Sequence, residues 1–198
     1  LEQVYGKNPE IKAELQERDD REGRLTLELF NIMSGPFDRL EEDAPFYGNE
    51  EKPPGANYYP ADMSRDEFNR WLDEHPRDEE AFTSEYTVIC RNGDGLVAIP
   101  FSEFYNDRLQ LAAEELRKAA GFAENPTLKK YLNTRAEAFL SNHYYESDMA
   151  WMDLDNHTIE VVIGPYEVYE DKLFNYKAAF ETFITIRDPE ESEKVARF

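Results

Sequence analysis

Glu167, Tyr169 and Asp171 are the residues of this 198-residue chain whose types and spacing could do chemistry. They follow an apolar, β-branched run from Ile159 to Ile163 in which only Glu160 is charged. Gly164-Pro165 is expected to break that run, since glycine tolerates φ > 0 and proline fixes φ. Beyond it, period-two alternation sends Tyr166 and Val168 to one side and Glu167, Tyr169 and Asp171 to the other. Two carboxylates flanking a phenol can bind a cation, orient an ammonium, or donate a hydrogen bond from the tyrosine to a developing oxyanion. A solvated outer face of an edge strand has the same composition. Residue types alone leave both readings open.

The wider sequence narrows them. Glu167-Val168-Tyr169-Glu170-Asp171, followed by Tyr176-Lys177-Ala178-Ala179-Phe180-Glu181-Thr182-Phe183, resembles the Glu-x-Tyr-x-Asp segment of the dipeptidyl peptidase III family of zinc metallopeptidases. That family continues with a Gly-Glu-Phe-Glu-Gly-Phe-like strand and an Ala-Lys-Phe ending. The counterparts here are Ala179-Phe180-Glu181-Thr182-Phe183 and Ala196-Arg197-Phe198. Met149-Ala150-Trp151-Met152-Asp153 is similar to the family's Trp-containing lead-in, and Tyr59-Pro60-Ala61-Asp62-Met63 to a phrase of a divergent bacterial branch. Val168 and Glu170 stand where Ser and Arg are commoner, and the usual Pro-x-Gly after the Asp is missing.

The resemblance implies roles. Glu167 would receive the free amino terminus of a peptide, Tyr169 would stabilise the tetrahedral oxyanion, and Asp171 would be a substrate-side neighbour that orients them. It also implies zinc in the parent protein, because the family carries a His-Glu-x-x-(x)-His helix and a later zinc-ligating Glu. This chain has neither: His75, His143 and His157 are scattered and none begins a His-Glu pair. No metal ligand is therefore assigned, and no cofactor is expected in this chain. The expected partners are a peptide substrate and a C-terminal, zinc-bearing lobe of the same protein, with the chain inactive alone. A non-catalytic scaffold or protein-interaction domain of the same fold is the alternative. Nudix hydrolysis, suggested by plant relatives that fuse this domain to a nudix module, is discounted because the Gly-x5-Glu-x7-Arg-Glu box that would hold magnesium is absent.

Composition bounds the partners. Forty-three acidic against 22 basic residues give a net charge of −21. Such a surface repels phosphate, so nucleic acid and anionic membrane are excluded as expected partners, while cationic groups are favoured. With 40% hydrophobic and 14% aromatic residues the chain can bury a core. No apolar run is long enough for a membrane-spanning helix. The lone Cys90, in the apolar stretch from Tyr86, reads as a small buried hydrophobe. A cytoplasmic location is expected, with export as the alternative. Leu1 is not an initiator Met, so a processed product or fragment is expected.

The elements that must position these residues read as α+β. Helices are expected over 2–18, with Val4, Ile11 and Leu15 inward, and from Asp20 to Met33, stopped by Ser34-Gly35-Pro36 with glycine as the cap. Residues 37–62 form an aromatic and Pro-rich loop whose Phe46, Tyr47, Tyr58 and Tyr59 either line a cleft or pin the loop. Ser64-x-x-Glu67 is a capping box for a helix to Glu74. Asn92-Gly-Asp-Gly95 turns a β-hairpin, and its spacing does not fit an EF-hand. A helix capped by Ser102 runs to Ala120 with Gly121 at its end, and another starts at Pro126. His143 to Met152 reads as a connection anchored by Trp151 and Met152. Strands over 158–163 and 177–186 then make a small antiparallel or barrel-like sheet, before a last helix opened by Asp188. The organisation is a single domain over 1–198, with a helical hairpin (1–36), the loop (37–62) and a main body (63–198), as a fragment of a two-lobed protein.

Overall fold

A computed structural model describes residues 7–195. The expectations placed on Val4 and on Ala196-Arg197-Phe198 lie outside them. The fold is α+β, with helices and two-stranded antiparallel pairings. It divides into two compact units. One holds the described residues up to Ala98 together with Val168–Ala178; the other holds Ile99–Glu167 and the described residues from Ala179.

In the first unit, α1 (Asn8–Glu17) carries Pro9 in its first turn, where the missing amide costs nothing. The next helix, α2 (Arg21–Met33), is capped by Asp20, whose carboxylate accepts the Gly23 amide at 2.8 Å. The Arg18 guanidinium, with that amide, holds the Asp20 carboxyl down to about 2. Ser34, at φ 60°, rather than Gly35, takes the left-handed cap and donates its amide to the Phe30 carbonyl. Two short strands, β1 (Phe37–Asp38) and β2 (Ala44–Pro45), pair antiparallel. Ser64 caps α3 (Arg65–Glu74) by accepting the Glu67 amide at 3.1 Å. Glu67 turns its own carboxylate to Arg91 at 2.7 Å, so the serine performs the capping that is visible. A 3-10 turn (Pro76–Asp78) and α4 (Glu79–Thr83) lead to the hairpin of β3 (Thr87–Asn92) and β4 (Gly95–Pro100), which turns through Gly93 at φ 59°. Tyr59, Phe68, Phe82, Phe174 and Tyr176 form an aromatic cluster with neighbouring ring centroids 4.5–6.3 Å apart. Tyr58 and Tyr59 are buried, and the Tyr58 carbonyl accepts the Ile89 amide at 2.8 Å, so this part of the aromatic loop is pinned to its unit.

In the second unit the expected single helix from Ser102 to Ala120 is two: α5 (Phe101–Phe104) and α6 (Asn106–Phe122), separated at Tyr105. Phe101 and Tyr105 both pack on Phe180, which fixes the break by tertiary contact rather than by a cap. Gly121 is inside α6, one residue before its end. Asn125 caps α7 (Pro126–Ser141), accepting the Leu128 amide at 2.9 Å. His143 to Met152 is not a bare connection, because Tyr145–Met152 form helix α8. Its buried residues are the small Ser147 and Ala150, while Met152 is exposed instead of anchoring a core. Strand β5 (Ile159–Glu167) pairs antiparallel with β6 (Ala179–Ile186), and α9 (Pro189–Val195) follows, its first amides accepted by Asp188.

Gly164-Pro165 was expected to end the first of these strands, yet it lies inside β5. Gly164 pairs with Glu181 and Pro165 with Phe180, and a bulge at Tyr166 absorbs the register shift before Glu167 meets Ala179. A proline is tolerated beside a bulge in a two-stranded ribbon, where amides on the outer edge need no ladder partner. Gly164 is also required sterically: its φ is +155°, and a Cβ there would come within 2.8 Å of Arg135 Nη1. Arg135 is fully buried, ion-paired with Asp148 and ringed by Tyr131, Tyr144 and Tyr166 with centroids 5.4–5.6 Å from its guanidinium carbon. Removing Asp148 would leave that cation enclosed without its counter-ion. Asp148→Ala is therefore expected to destabilise the second unit by about 2–4 kcal/mol, read as a lowered midpoint in urea unfolding; an unchanged midpoint would show that the tyrosine rings alone suffice.

Candidate functional site

The strand that carries Glu167 ends there, and the chain turns. The Asp171 amide donates to the Val168 carbonyl at 3.1 Å, which puts Tyr169 and Glu170 at the tip of a tight turn. Glu167, Tyr169 and Asp171 consequently do not share one extended face. Tyr169 is 53% exposed and Glu167 is exposed, whereas Asp171 is fully buried. Period-two geometry holds only while strand pairing continues, and pairing stops at Glu167.

The burial of Asp171 has a structural cause. Its Oδ1 accepts the amides of Leu173 and Phe174 at 3.0 and 3.1 Å. Its Oδ2 accepts those of Tyr176 and Lys177 at 2.9 and 3.2 Å and the Tyr59 hydroxyl at 2.8 Å. Five donors on one carboxylate satisfy the peptide groups of a segment that has no ladder to join. The Tyr59 phenol is pushed up by burial and by the facing Asp171 charge, so it stays a donor.

Glu170, the other residue beside Tyr169, is also buried. It pairs with Arg39 and, at 2.7 Å, with Lys52. Lys52 reaches Asp43 at 3.3 Å, and Lys172 reaches the same Asp43 oxygen at 2.6 Å. Glu170, Lys52, Asp43 and Lys172, with Pro45 and Pro53, line a cavity of about 280 Å³. Burial alone would raise the Glu170 carboxyl; Lys52 and Arg39 outweigh it and hold the group below the usual glutamate range.

Lys177 was not singled out from the sequence, and it is fully buried. Its ammonium donates to the carbonyls of Phe82 and Ser84 at 2.6 and 2.8 Å and to the Thr87 hydroxyl at 2.8 Å. Burial pushes it down to about 7, and the nearby Asp171 carboxylate pulls the other way. In the other unit, Glu181 was passed over too. It is half-buried on β6, and burial together with the Glu167 charge raises its carboxyl. Glu167 and Glu181 are thus near one another at that end of the ribbon. Register in the pairing of β5 with β6 brings them together, which a single-strand pattern could not show.

The described residues contain no group of three or more His, Cys, Asp or Glu that could hold a metal ion, and His157 Nε2 meets the Glu160 carboxylate at 2.8 Å. No helix among the described residues is long and apolar enough to cross a membrane.

The profile of peptidase family M49 matches residues 77–198. Over 99% of its length the chain is 66% identical to dipeptidyl peptidase III (DPP III) from Caldithrix abyssi, with a TM-score of 0.96, and it covers 37% of that structure's chain. It is 43% identical to dipeptidyl-peptidase III from Corallococcus sp. strain EGB, with a TM-score of 0.93 and the same coverages. It is also 36% identical, across 94% of its length, to Nudix hydrolase 3 of Arabidopsis thaliana, of which it covers 31%. The chain spans about a third of the length of these relatives. It belongs to peptidase family M49.

The Glu170 pairs give a pH dependence. A carboxyl held below its unfolded value adds stability that is complete above about pH 4.5 and fades as pH falls through the lower folded value. Glu170→Gln is expected to be less stable than the parent at pH 6 and to lose less on acidification to pH 3. Parallel acid-unfolding curves for the two proteins would contradict this.

Proposed function

We propose that this chain is the substrate-side, N-terminal part of a dipeptidyl peptidase III-like zinc aminopeptidase, and that it binds the peptide amino terminus through Glu167 and supplies a transition-state hydroxyl from Tyr169. The observation that carries the reading is the contrast within one turn. Tyr169 projects outward from a tip whose next two residues, Glu170 and Asp171, are both buried and paired. A phenol held at a fixed backbone position can meet an oxyanion without first paying to be ordered.

Glu167 has the complementary task. With Glu181 beside it, the carboxylate stands in a locally negative field, which favours an α-ammonium over neutral or anionic groups. The overall charge of −21 adds to that preference at long range. Asp171 has no route to substrate, and its role in this reading is to shape the turn. Family membership together with a span of 37% of the full-length structures supports a further lobe as partner. That lobe would hold the zinc and the metal-bound water, since no described residue group here suits the ion. Exposed Ile184 and Ile186, two residues apart on one face of β6, offer an apolar surface against which more chain could pack.

Two measurements test this. In the full-length protein, Tyr169→Phe is expected to lower kcat for dipeptide release by roughly tens to hundreds of fold, with a smaller change in KM; an unchanged kcat removes Tyr169 from the chemistry. The purified 198-residue chain given zinc is expected to release no dipeptide from unblocked peptides, and measurable release would refute the division of labour.

A further inference from the structure

We propose that Lys177 and Asp171 are positioning residues for Tyr169, a role that rests on the reading of Tyr169 given above. The two side chains form one unit of structure. Asp171 gathers the amides of residues 173, 174, 176 and 177, so it sets the path of the chain on the far side of the Tyr169 tip. Lys177, whose own amide is one of these, sends its ammonium the other way, into the bend at 82–87. The Ala178 amide adds a bond to the Glu85 carbonyl at 3.0 Å. Tyr59 closes the set, its hydroxyl on Asp171 and its ring 5.8 Å from the Lys177 ammonium.

The chemistry of the ammonium suits this task. It has three N–H donors, and three oxygens from one bend receive them. Two of those oxygens are backbone carbonyls, so the lysine registers the main chain of 82–84 against the main chain of the Tyr169 loop. A methionine of similar length would fill the space and register nothing. The loop has no strand pairing; on the near side of Asp171 the Lys172 amide donates to the Pro54 carbonyl at 2.9 Å and Glu170 pairs with Lys52, whereas Lys177 and the Ala178 amide are what hold its far side to the bend at 82–87. A displacement of the order of 1 Å at a reacting group can cost about a hundredfold in rate.

The test is a double-mutant cycle in the full-length protein, with zinc bound, following dipeptide release from an unblocked peptide. Lys177→Met is expected to lower kcat about tenfold with KM within about twofold. In the Tyr169→Phe background the same substitution is expected to lower kcat no further, because it acts through a hydroxyl already gone. Tyr59→Phe, which deletes one of the five bonds to Asp171, serves where Lys177→Met does not fold, and should show the same non-additivity at smaller size. Equal losses in both backgrounds would mean general destabilisation and overturn the proposal, as would an unchanged kcat for both variants when Tyr169→Phe alone is slow. If Tyr169→Phe is itself as fast as the parent, the functional reading fails first and the positioning role falls with it.

Discussion

A single buried carboxylate decides the shape of the region that matters. Asp171 lies in the first unit with no exposed surface, and five donors converge on it. Burying an ionised acid is costly unless each lone pair is used, and here the peptide groups of a loop outside any sheet use them. The exchange works in both directions: the acid is tolerated because the loop needs acceptors, and the loop is ordered because the acid is there. Remove the carboxylate, and four amides lose their partner, two of them at buried positions.

The same logic recurs with opposite sign at Lys177 and Arg135. Each is a fully buried cation, but they are stabilised differently. Lys177 is matched by three localised oxygens, as a compact ammonium requires. Arg135 has one carboxylate partner and three aromatic faces, which suits a planar, delocalised guanidinium. Swapping either residue for the other would therefore not conserve the interaction. An excess of acids on the surface coexists with these interior cations because the two populations answer different constraints, solubility outside and pairing inside.

What could be read from the sequence follows the range of the interaction. Helix starts at Asp20, Ser64, Asn125 and Asp188 depend on a side chain and amides two or three residues away, and all four were legible. The hairpin at 92–95 was legible for the same reason. Helix α8 was not: its apolar residues do not recur on one face, and what it buries is a serine and an alanine. The break at Tyr105 was invisible because Phe180, seventy-odd residues later in the chain, sets it. Gly164-Pro165 looked like a stop because local rules say so; the bulge and the close approach of Arg135 explain why it continues a strand instead.

At the site the same division separates type from arrangement. The motif picked out Glu167, Tyr169 and Asp171, yet alternation put them on one face because it assumed that the strand went on. The turn after Glu167 converts a row of three into one displayed phenol, one displayed acid and one concealed anchor. That conversion explains the otherwise odd presence of Glu170 in the motif. A second exposed acid at the tip would add to the negative field of Glu167 and raise the cost of forming an oxyanion there, by like-charge repulsion. Glu170 instead spends its charge on Lys52 and Arg39, under the surface, where it fixes the backbone and leaves the tip to the hydroxyl. The departure from the family's commoner arginine at this position is thus compatible with the proposed chemistry, because the position points inward and brings its own cations with it.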